Sequence, residues 1–195
     1  MVPPLIVHFD DFLWTPDYYA LTVVQQQFDV FLPNRVWVSD ITQYRFNQQN
    51  YYICAILDLF SRKIIGYRVS KSYGTQLLTK TFKQAYAARQ PANGLVFHSD
   101  RGGQYISKTF RTLLDKHEVV QSLSRPGKPH DNAVMESFFS YLKKEELYRH
   151  EYKSEAALLR SIDKYMLFYN SKRPHSTLLY KTPDGMKENH MNSDS

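Results

Sequence analysis

Residues 36–42 have the sequence Val-Trp-Val-Ser-Asp-Ile-Thr. This stretch is β-branched and aromatic, which predicts a strand. Two further apolar runs follow at 51–57 and 63–69, and a turn around Asp58 separates them. The first of these two runs is apolar almost throughout, as expected of a strand that is buried on both faces. The three strands predict an antiparallel meander, and we expect the first of them to be central in the sheet.

The rest of the chain alternates helices and strands. Apolar residues recur at helical spacing over 75–89 and predict a helix there. We expect a buried strand at 95–98, a helix around Phe110 and a strand at 119–123, followed by helices at about 132–148 and 154–169. The order β-β-β-α-β-α-β-α-α predicts an α/β fold, a five-stranded mixed sheet flanked by helices. The first and fourth strands are then expected to be parallel neighbours.

The chain divides into three segments that differ in their pattern of apolar and polar residues. Residues 1–33 contain several prolines and no lasting helical or strand period, so we interpret them as an N-terminal extension or linker. Residues 34–183 carry the regular pattern and are expected to form the folded domain. Residues 184–195 are polar and are predicted to be a flexible tail.

Composition and charge narrow the class of protein. The chain has 195 residues, of which 43% are apolar, which suits one globular domain. Its only cysteine, Cys54, excludes a disulfide framework and a cysteine-based zinc site, and fits a reducing compartment. No apolar run approaches the roughly 20 residues that span a bilayer, so no membrane association is expected. These features predict a cytoplasmic protein.

The net charge of +6 is unevenly distributed. Residues 1–34 contain four acidic side chains and no lysine or arginine, so the remainder carries 25 basic and 15 acidic side chains. A basic domain favours a polyanionic partner, most simply nucleic acid. A solvated basic surface without a partner is the alternative that charge alone leaves open.

Three acidic residues stand out by their position. Asp40 lies in the first strand, Asp100 directly follows the fourth strand, and Glu136 lies in the first turns of the next-to-last helix. Fifty-nine residues separate Asp40 from Asp100, and 35 separate Asp100 from Glu136. Because the first and fourth strands are expected to be parallel neighbours, the two aspartates can converge at one edge, and a helix packed across it can aim Glu136 at both. Each acid alone also fits a structural role, as the end of a strand, the start of a turn or a favourable charge at a helix N-terminus.

Convergent carboxylates without a cysteine or a histidine pair suit hard divalent cations, Mg²⁺ or Mn²⁺. Two such ions about 4 Å apart can clamp the attacking and leaving oxygens of a phosphoryl transfer. The three acids therefore predict a binding site for Mg²⁺ or Mn²⁺, with two ions expected.

Several motifs together resemble one known family. They are Asn-Arg-Val-Trp-Val-Ser-Asp-Ile-Thr at 34–42, His-Ser-Asp-Arg-Gly-Gly-Gln-Tyr at 98–105, Ser-Leu-Ser-Arg-Pro-Gly at 122–127, Asp-Asn-Ala-Val-Met-Glu-Ser-Phe-Phe at 131–139, Tyr-Asn-Ser-Lys-Arg-Pro-His at 169–175 and Thr-Pro at 182–183. The combination resembles the integrase-type catalytic domain of IS3-family insertion-sequence transposases. The resemblance implies an RNase H-like fold and an Asp-Asp-Glu metal triad of Asp40, Asp100 and Glu136. It also implies that a DNA 3′-hydroxyl attacks a phosphodiester directly, in an enzyme that is a homo-oligomer when it holds two element ends.

Four further residues are candidates for DNA contact. Lys143 lies two helical turns after Glu136 and is predicted to face a DNA phosphate, although a solvated lysine is the alternative. Asn132 lies four residues before Glu136 and is expected either to face the substrate or to cap the helix; Asp131 is the expected N-cap. Arg173 and His175 match the last motif, and either DNA contact or docking of the C-terminal segment would explain them.

The sequence departs from the family pattern before the catalytic domain, and this leaves more than one function open. Related transposases carry a basic helix-turn-helix region before the catalytic domain, whereas residues 1–33 are acidic here. We therefore expect that a partner protein supplies recognition of the element ends, or that the chain is a truncated, non-catalytic DNA-binding remnant. A nuclease for RNA–DNA hybrids would share the fold and the metals and is the third hypothesis. The expected location is the bacterial cytoplasm, at the nucleoid.

Overall fold

A computed structural model describes residues 30–124 and 132–186, and it contains one mixed sheet. The bounds of its strands are β1 Val36–Phe46, β2 Gln49–Asp58, β3 Ile64–Ser70, β4 Val96–Ser99 and β5 Val120–Leu123. The strands lie in the order β3-β2-β1-β4-β5. The first strand pairs antiparallel with the second and parallel with the fourth, and the fifth is parallel to the fourth. The predicted mixed sheet with a central first strand is confirmed.

The helices follow in the predicted order. Their bounds are α1 Thr75–Arg89, α2 Lys108–Lys116, α3 Ala133–Tyr141 and α4 Glu155–Ser171, with a 3₁₀ turn at Ser176–Leu178. The bounds of α1 agree with the helix predicted from its apolar spacing, because one face of α1 packs on the sheet along its whole length. The predicted extension at 1–33, the tail at 184–195 and the expected cap Asp131 lie largely or wholly outside the described residues.

The helix predicted at 132–148 differs from the structure in its second half. After α3 the chain continues as a π-helix over Leu142–Leu147, in which Tyr148 N donates to Lys143 O at 2.9 Å. Leu142 and Leu147 are both buried. The wider π turn brings two leucines that are five residues apart onto the same face, whereas a regular α-helix would rotate one of them away from the core.

Helices cover both faces of the sheet, and the alternation along β1 assigns its side chains to them. Val36 and Val38 are buried in the core beneath α3 and α4. Trp37 is buried in the second core, beneath α1 and α2. Asp40 lies two residues after Val38 and four after Val36, so its side chain points to the same face of the sheet, which α3 covers. This alternation puts Asp40 on the side of the sheet where Glu136 lies.

A close approach and a buried turn hold the meander in place. A Cβ atom added to Gly66 on β3 would lie 2.9 Å from the Cβ of Ala85, so glycine permits the packing of α1 on this strand. Asp58, the last residue of β2, is buried and accepts hydrogen bonds from Asn34 N at 2.8 Å and from Ser61 Oγ at 2.6 Å. Asp58 therefore stabilises the turn between β2 and β3, as its position predicts.

Among the residues that the structure describes, no helix combines the length and the apolar composition needed to cross a lipid bilayer.

Candidate active site

The site is centred on Asp40, which lies in β1 opposite Ala55 of β2. Its Oδ1 accepts a hydrogen bond from Ile41 N at 2.7 Å. The pKa of the Asp40 carboxyl is raised to about 7, mainly by burial and to a smaller extent by the charges of Asp100 and Glu136. The hydrogen bond from Ile41 and the charge of Lys143 act in the opposite direction and lower the pKa.

The charges that change the pKa of Asp40 show that the other predicted site residues lie near it. Because the influence of a charge falls with distance, the effect of Asp100, Glu136 and Lys143 on one carboxyl places all three around it. Like charges that are brought together raise a carboxyl pKa, and a nearby lysine lowers it. The structure thus brings Asp100, Glu136 and Lys143, from two other parts of the chain, within range of the Asp40 charge at one end of the sheet.

Asp100 lies directly after β4, where the chain leaves the sheet. The parallel pairing of β1 with β4 ends at Val38 and His98, so Asp100 is level with Asp40 in the same register. Asp100 Oδ1 accepts a hydrogen bond from Gly102 N at 2.9 Å. A Cβ atom at Gly102 would lie 3.0 Å from this oxygen, so glycine keeps the space beside the carboxylate open.

Glu136 and Lys143 come from α3 and the π-helix that continues it. Glu136 lies in the first turn of α3, where the helix dipole favours a negative charge, and its side chain is exposed. Met135 and Phe139 lie together on one side of the helix, next to Glu136, and are buried against the sheet. The packing of these apolar side chains sets the rotation of α3 and so directs Glu136 towards the end of the sheet.

Buried polar side chains on both faces of the sheet support the site. Ser39 is fully buried, and its Oγ donates to Ala55 O at 3.0 Å. The Tyr105 hydroxyl oxygen also lies 3.0 Å from Ser39 Oγ. His98 is fully buried, and its Nδ1 lies 2.9 Å from Ser122 Oγ. His98 is thus a hydrogen-bonded core histidine.

Tyr73 is a neighbour of the site that its sequence position does not reveal. Its side chain is 51% exposed and its ring centroid lies 5.0 Å from that of Tyr52. Burial of the hydroxyl raises the pKa of Tyr73, and the charges of Asp100 and Asp40 raise it further. Tyr73 belongs to the turn before α1, which has no helical or strand period, so only the folded chain places it beside the two aspartates.

Arg173 and His175 lie in the segment after α4. The Arg173 guanidinium donates to Glu145 through Nε at 2.9 Å and through Nη2 at 2.8 Å, and it lies 3.9 Å from the centre of the Tyr141 ring. His175 is 7% exposed, with its ring centroid 4.6 Å from that of Tyr169. These contacts dock the C-terminal segment on the domain, one of the two roles expected, while contact with DNA stays a prediction.

Asn132 is buried at the start of α3, with 6% of its surface exposed. Its side chain makes no capping hydrogen bond to the helix. Instead, Nδ2 donates to the backbone oxygen of Ser39 at 3.2 Å. The structure thus places Asn132 against β1, beside Asp40, and a contact between Asn132 and DNA also stays a prediction.

The residues around Asp40 can be compared with the ligands that the implied divalent cation needs. Within residues 30–124 and 132–186, no three carboxylate, imidazole or thiol groups lie close enough together to hold a metal ion. The acids whose charges meet at Asp40 nevertheless offer only carboxylate oxygens, which are the ligands that Mg²⁺ and Mn²⁺ prefer. The chemistry of the residues fits such a cation, and their role as its ligands stays a prediction.

The architecture itself defines a class of protein. A five-stranded mixed sheet in the order β3-β2-β1-β4-β5 with helices on both faces is an RNase H-like fold. The same fold is present in the HTLV-2 integrase catalytic core domain in complex with magnesium (dimeric form). The two chains align with a TM-score of 0.63 and 20% identity, over 78% of this chain and 95% of that one. The predicted fold class is confirmed.

Sequence comparisons then identify the family. Two integrase core domain profiles match residues 32–129 and 117–183, and the chain belongs to the integrase core domain family. It is 37% identical over 162 residues to the transposase for insertion sequence element IS904 of Lactococcus lactis, covering 83% of this chain and 64% of that protein. It is 33% identical over 155 residues to the transposase InsF for insertion sequence IS3A of Escherichia coli, covering 79% of this chain and 54% of that protein.

These relatives confirm the resemblance to IS3-type transposases. The chain spans less than two thirds of the length of either relative. The regions that match the integrase core domain profiles contain Asp40, Asp100 and Glu136.

Proposed function

We propose that this chain is the catalytic domain of a DNA transposase, which cleaves the 3′ ends of its element and joins them to target DNA by transesterification. The observation that carries the proposal is the convergence of the Asp100 and Glu136 charges on the partly buried carboxyl of Asp40. Membership of the integrase core domain family and the similarity to IS904 and IS3A transposases support the same class of reaction.

Asp40, Asp100 and Glu136 would hold the divalent cations, Mg²⁺ or Mn²⁺, and two ions are expected. The chemistry that such ions supply is activation of an attacking hydroxyl group and neutralisation of charge on the leaving oxygen. Because the pKa of Asp40 is about 7, its carboxyl holds a proton in a large share of the molecules at neutral pH. Occupation of the site therefore releases a proton from Asp40, and cation affinity is expected to rise with pH.

Lys143 is the candidate that best fits a DNA phosphate, since its charge acts on Asp40 from beside the acids. Replacing Lys143 with alanine is expected to reduce the slope of log affinity against log salt by about one. Contacts of Asn132, Arg173 and His175 with DNA are further predictions. The proposal also includes a homo-oligomer as the active form, a partner protein that recognises the element ends, and a location at the bacterial nucleoid.

The test uses the purified chain with duplex oligonucleotides that carry an element end, in Mg²⁺ or Mn²⁺, analysed on denaturing gels. Asp40→Asn, Asp100→Asn and Glu136→Gln should each reduce cleavage and joining on the order of 100-fold or more. Asp115→Asn makes the same chemical change at an exposed position on α2 and should leave both reactions unchanged.

Two other outcomes would contradict the proposal. A folded protein that neither cleaves nor joins DNA with either cation, but binds it in a salt-sensitive manner that survives Asp100→Asn and Glu136→Gln, would be the non-catalytic remnant. Faster cleavage of an RNA–DNA hybrid than of duplex DNA would identify a hybrid nuclease instead.

A further inference from the structure

The hydrogen bond between Asn132 and Ser39 joins α3 to the central strand beside Asp40. Asn132 Nδ2 donates to Ser39 O at 3.2 Å, across 93 residues of sequence. Asn132 Oδ1 is buried and has no hydrogen-bond partner among the described residues. Among the described residues, the bond from Nδ2 to Ser39 is therefore the hydrogen bond that orients the amide.

The sheet explains why the Ser39 carbonyl needs a donor from outside the ladder. Arg35 O accepts a hydrogen bond from Val96 N on the β4 side of the strand. Carbonyls two residues apart point to the same side, so the Ser39 carbonyl also points towards β4. The ladder between β1 and β4 ends at the pair of Val38 and His98, one residue before Ser39. The Asn132 amide therefore supplies a donor to this carbonyl where the paired part of β4 has ended and the chain turns towards Asp100.

The same bond determines the position of Glu136. Asn132 and Glu136 are four residues apart, so they lie one above the other on the same side of the helix. Ser39 immediately precedes Asp40 in β1. Fixing Asn132 against Ser39 therefore fixes the distance between the two acids that come from β1 and α3.

We propose that Asn132 is a positioning residue, whose amide ties α3 to the Ser39 carbonyl and so holds Glu136 in place for a divalent cation shared with Asp40. This inference rests on the proposed function, because it concerns the same three acids. It assigns Asn132 an action through Glu136, which differs from direct contact with DNA.

The experiment measures Mn²⁺ affinity of the full chain by titration calorimetry, with thermal unfolding as a second readout. Asn132→Ala and Asn132→Asp are the test variants, since the second keeps the shape but places an oxygen against the Ser39 carbonyl. Asn170→Ala is the matched control. Asn170 also ties a helix to a strand, because its Nδ2 donates to Ile64 O and its Oδ1 accepts from Ile64 N, both at 2.9 Å.

Both Asn132 variants are expected to weaken Mn²⁺ affinity about 10-fold or more, in the range seen for groups that orient metal ligands. Asn170→Ala should lower the unfolding temperature but keep Mn²⁺ affinity within about twofold of the wild type. In a Glu136→Gln background, Asn132→Ala should cause no further loss of Mn²⁺ affinity. In the DNA reaction, kcat should fall while KM for DNA stays constant.

Unchanged Mn²⁺ affinity in both Asn132 variants, with a wild type that binds Mn²⁺, would overturn the inference and leave the proposed function intact. An equal loss of affinity with and without the Glu136 carboxylate would also overturn it. A wild type that binds no Mn²⁺ would instead refute the proposed metal site and the inference with it. If the Asn132 variants do not fold, a wild-type crystal structure with Mn²⁺ decides, because an Asn132 amide that has left Ser39 overturns the inference and a retained bond supports it.

Discussion

Replacing Asp40 with asparagine is expected to stabilise the protein while it removes the proposed activity. Burial and two neighbouring acids raise the pKa of this carboxyl from 3.8 to about 7. Each unit of pKa corresponds to 1.36 kcal/mol, so keeping Asp40 ionised in the folded protein at pH 8 costs about 4 kcal/mol. An asparagine has no charge to bury, and its Oδ1 can still accept the hydrogen bond from Ile41 N. At pH 8, without divalent cations, the Asp40→Asn variant should therefore be more stable than the wild type by a few kcal/mol.

The dependence of this effect on pH follows from the direction of the pKa change. Because the pKa of Asp40 is higher in the folded than in the unfolded chain, the folded state binds the proton more tightly. The stability of the wild type therefore falls as pH rises from about 4 to about 7, and then levels off. The advantage of the Asp40→Asn variant should shrink from about 4 kcal/mol at pH 8 to about 2 kcal/mol at pH 5.

Urea unfolding in EDTA at both pH values measures this difference. Asp115→Asn, at an exposed position on α2, is the control and should change the unfolding free energy by less than about 0.5 kcal/mol at either pH. Adding Mn²⁺ at pH 8 should raise the unfolding temperature of the wild type but not that of Asp40→Asn. A variant that is no more stable than the wild type at pH 8 would refute the conclusion that Asp40 is ionised at a cost to folding.

Two further predictions concern the scaffold. Gly66→Ala places a Cβ atom 2.9 Å from that of Ala85 and should lower the unfolding free energy by about 1–3 kcal/mol in urea. Gly103→Ala is the control, because no atom lies within 4 Å of its added Cβ, and it should not destabilise the protein. Arg173→Lys loses the two-point contact with Glu145 and should destabilise by about 1–2 kcal/mol. A double-mutant cycle with Glu145→Gln should give a coupling energy near 1 kcal/mol at low salt, and a coupling of zero there would contradict the role of this pair.

Much of the fold can be predicted because its signals are local. The β-branched stretch at 36–42, the apolar run at 51–57 and the helical spacing over 75–89 each depend on neighbouring residues alone. Short connections between the first three strands make a meander the simple arrangement, which leaves the first strand central. The neighbourhood of Asp40 and Asp100 follows from this order, so the candidate site could be located before any coordinates were known.

What the sequence determined by itself is therefore the set of strands and helices, their order and the three acids that they bring to one end of the sheet. Only the tertiary structure decided how deeply Asp40 is buried, that Arg173 pairs with Glu145, and that Asn132 bonds to Ser39 rather than capping α3. The physical reason is that periodicity records which side of a strand or helix a residue occupies. The partner of a buried polar group, in contrast, depends on contacts between residues far apart in the chain, and 93 positions separate Asn132 from Ser39.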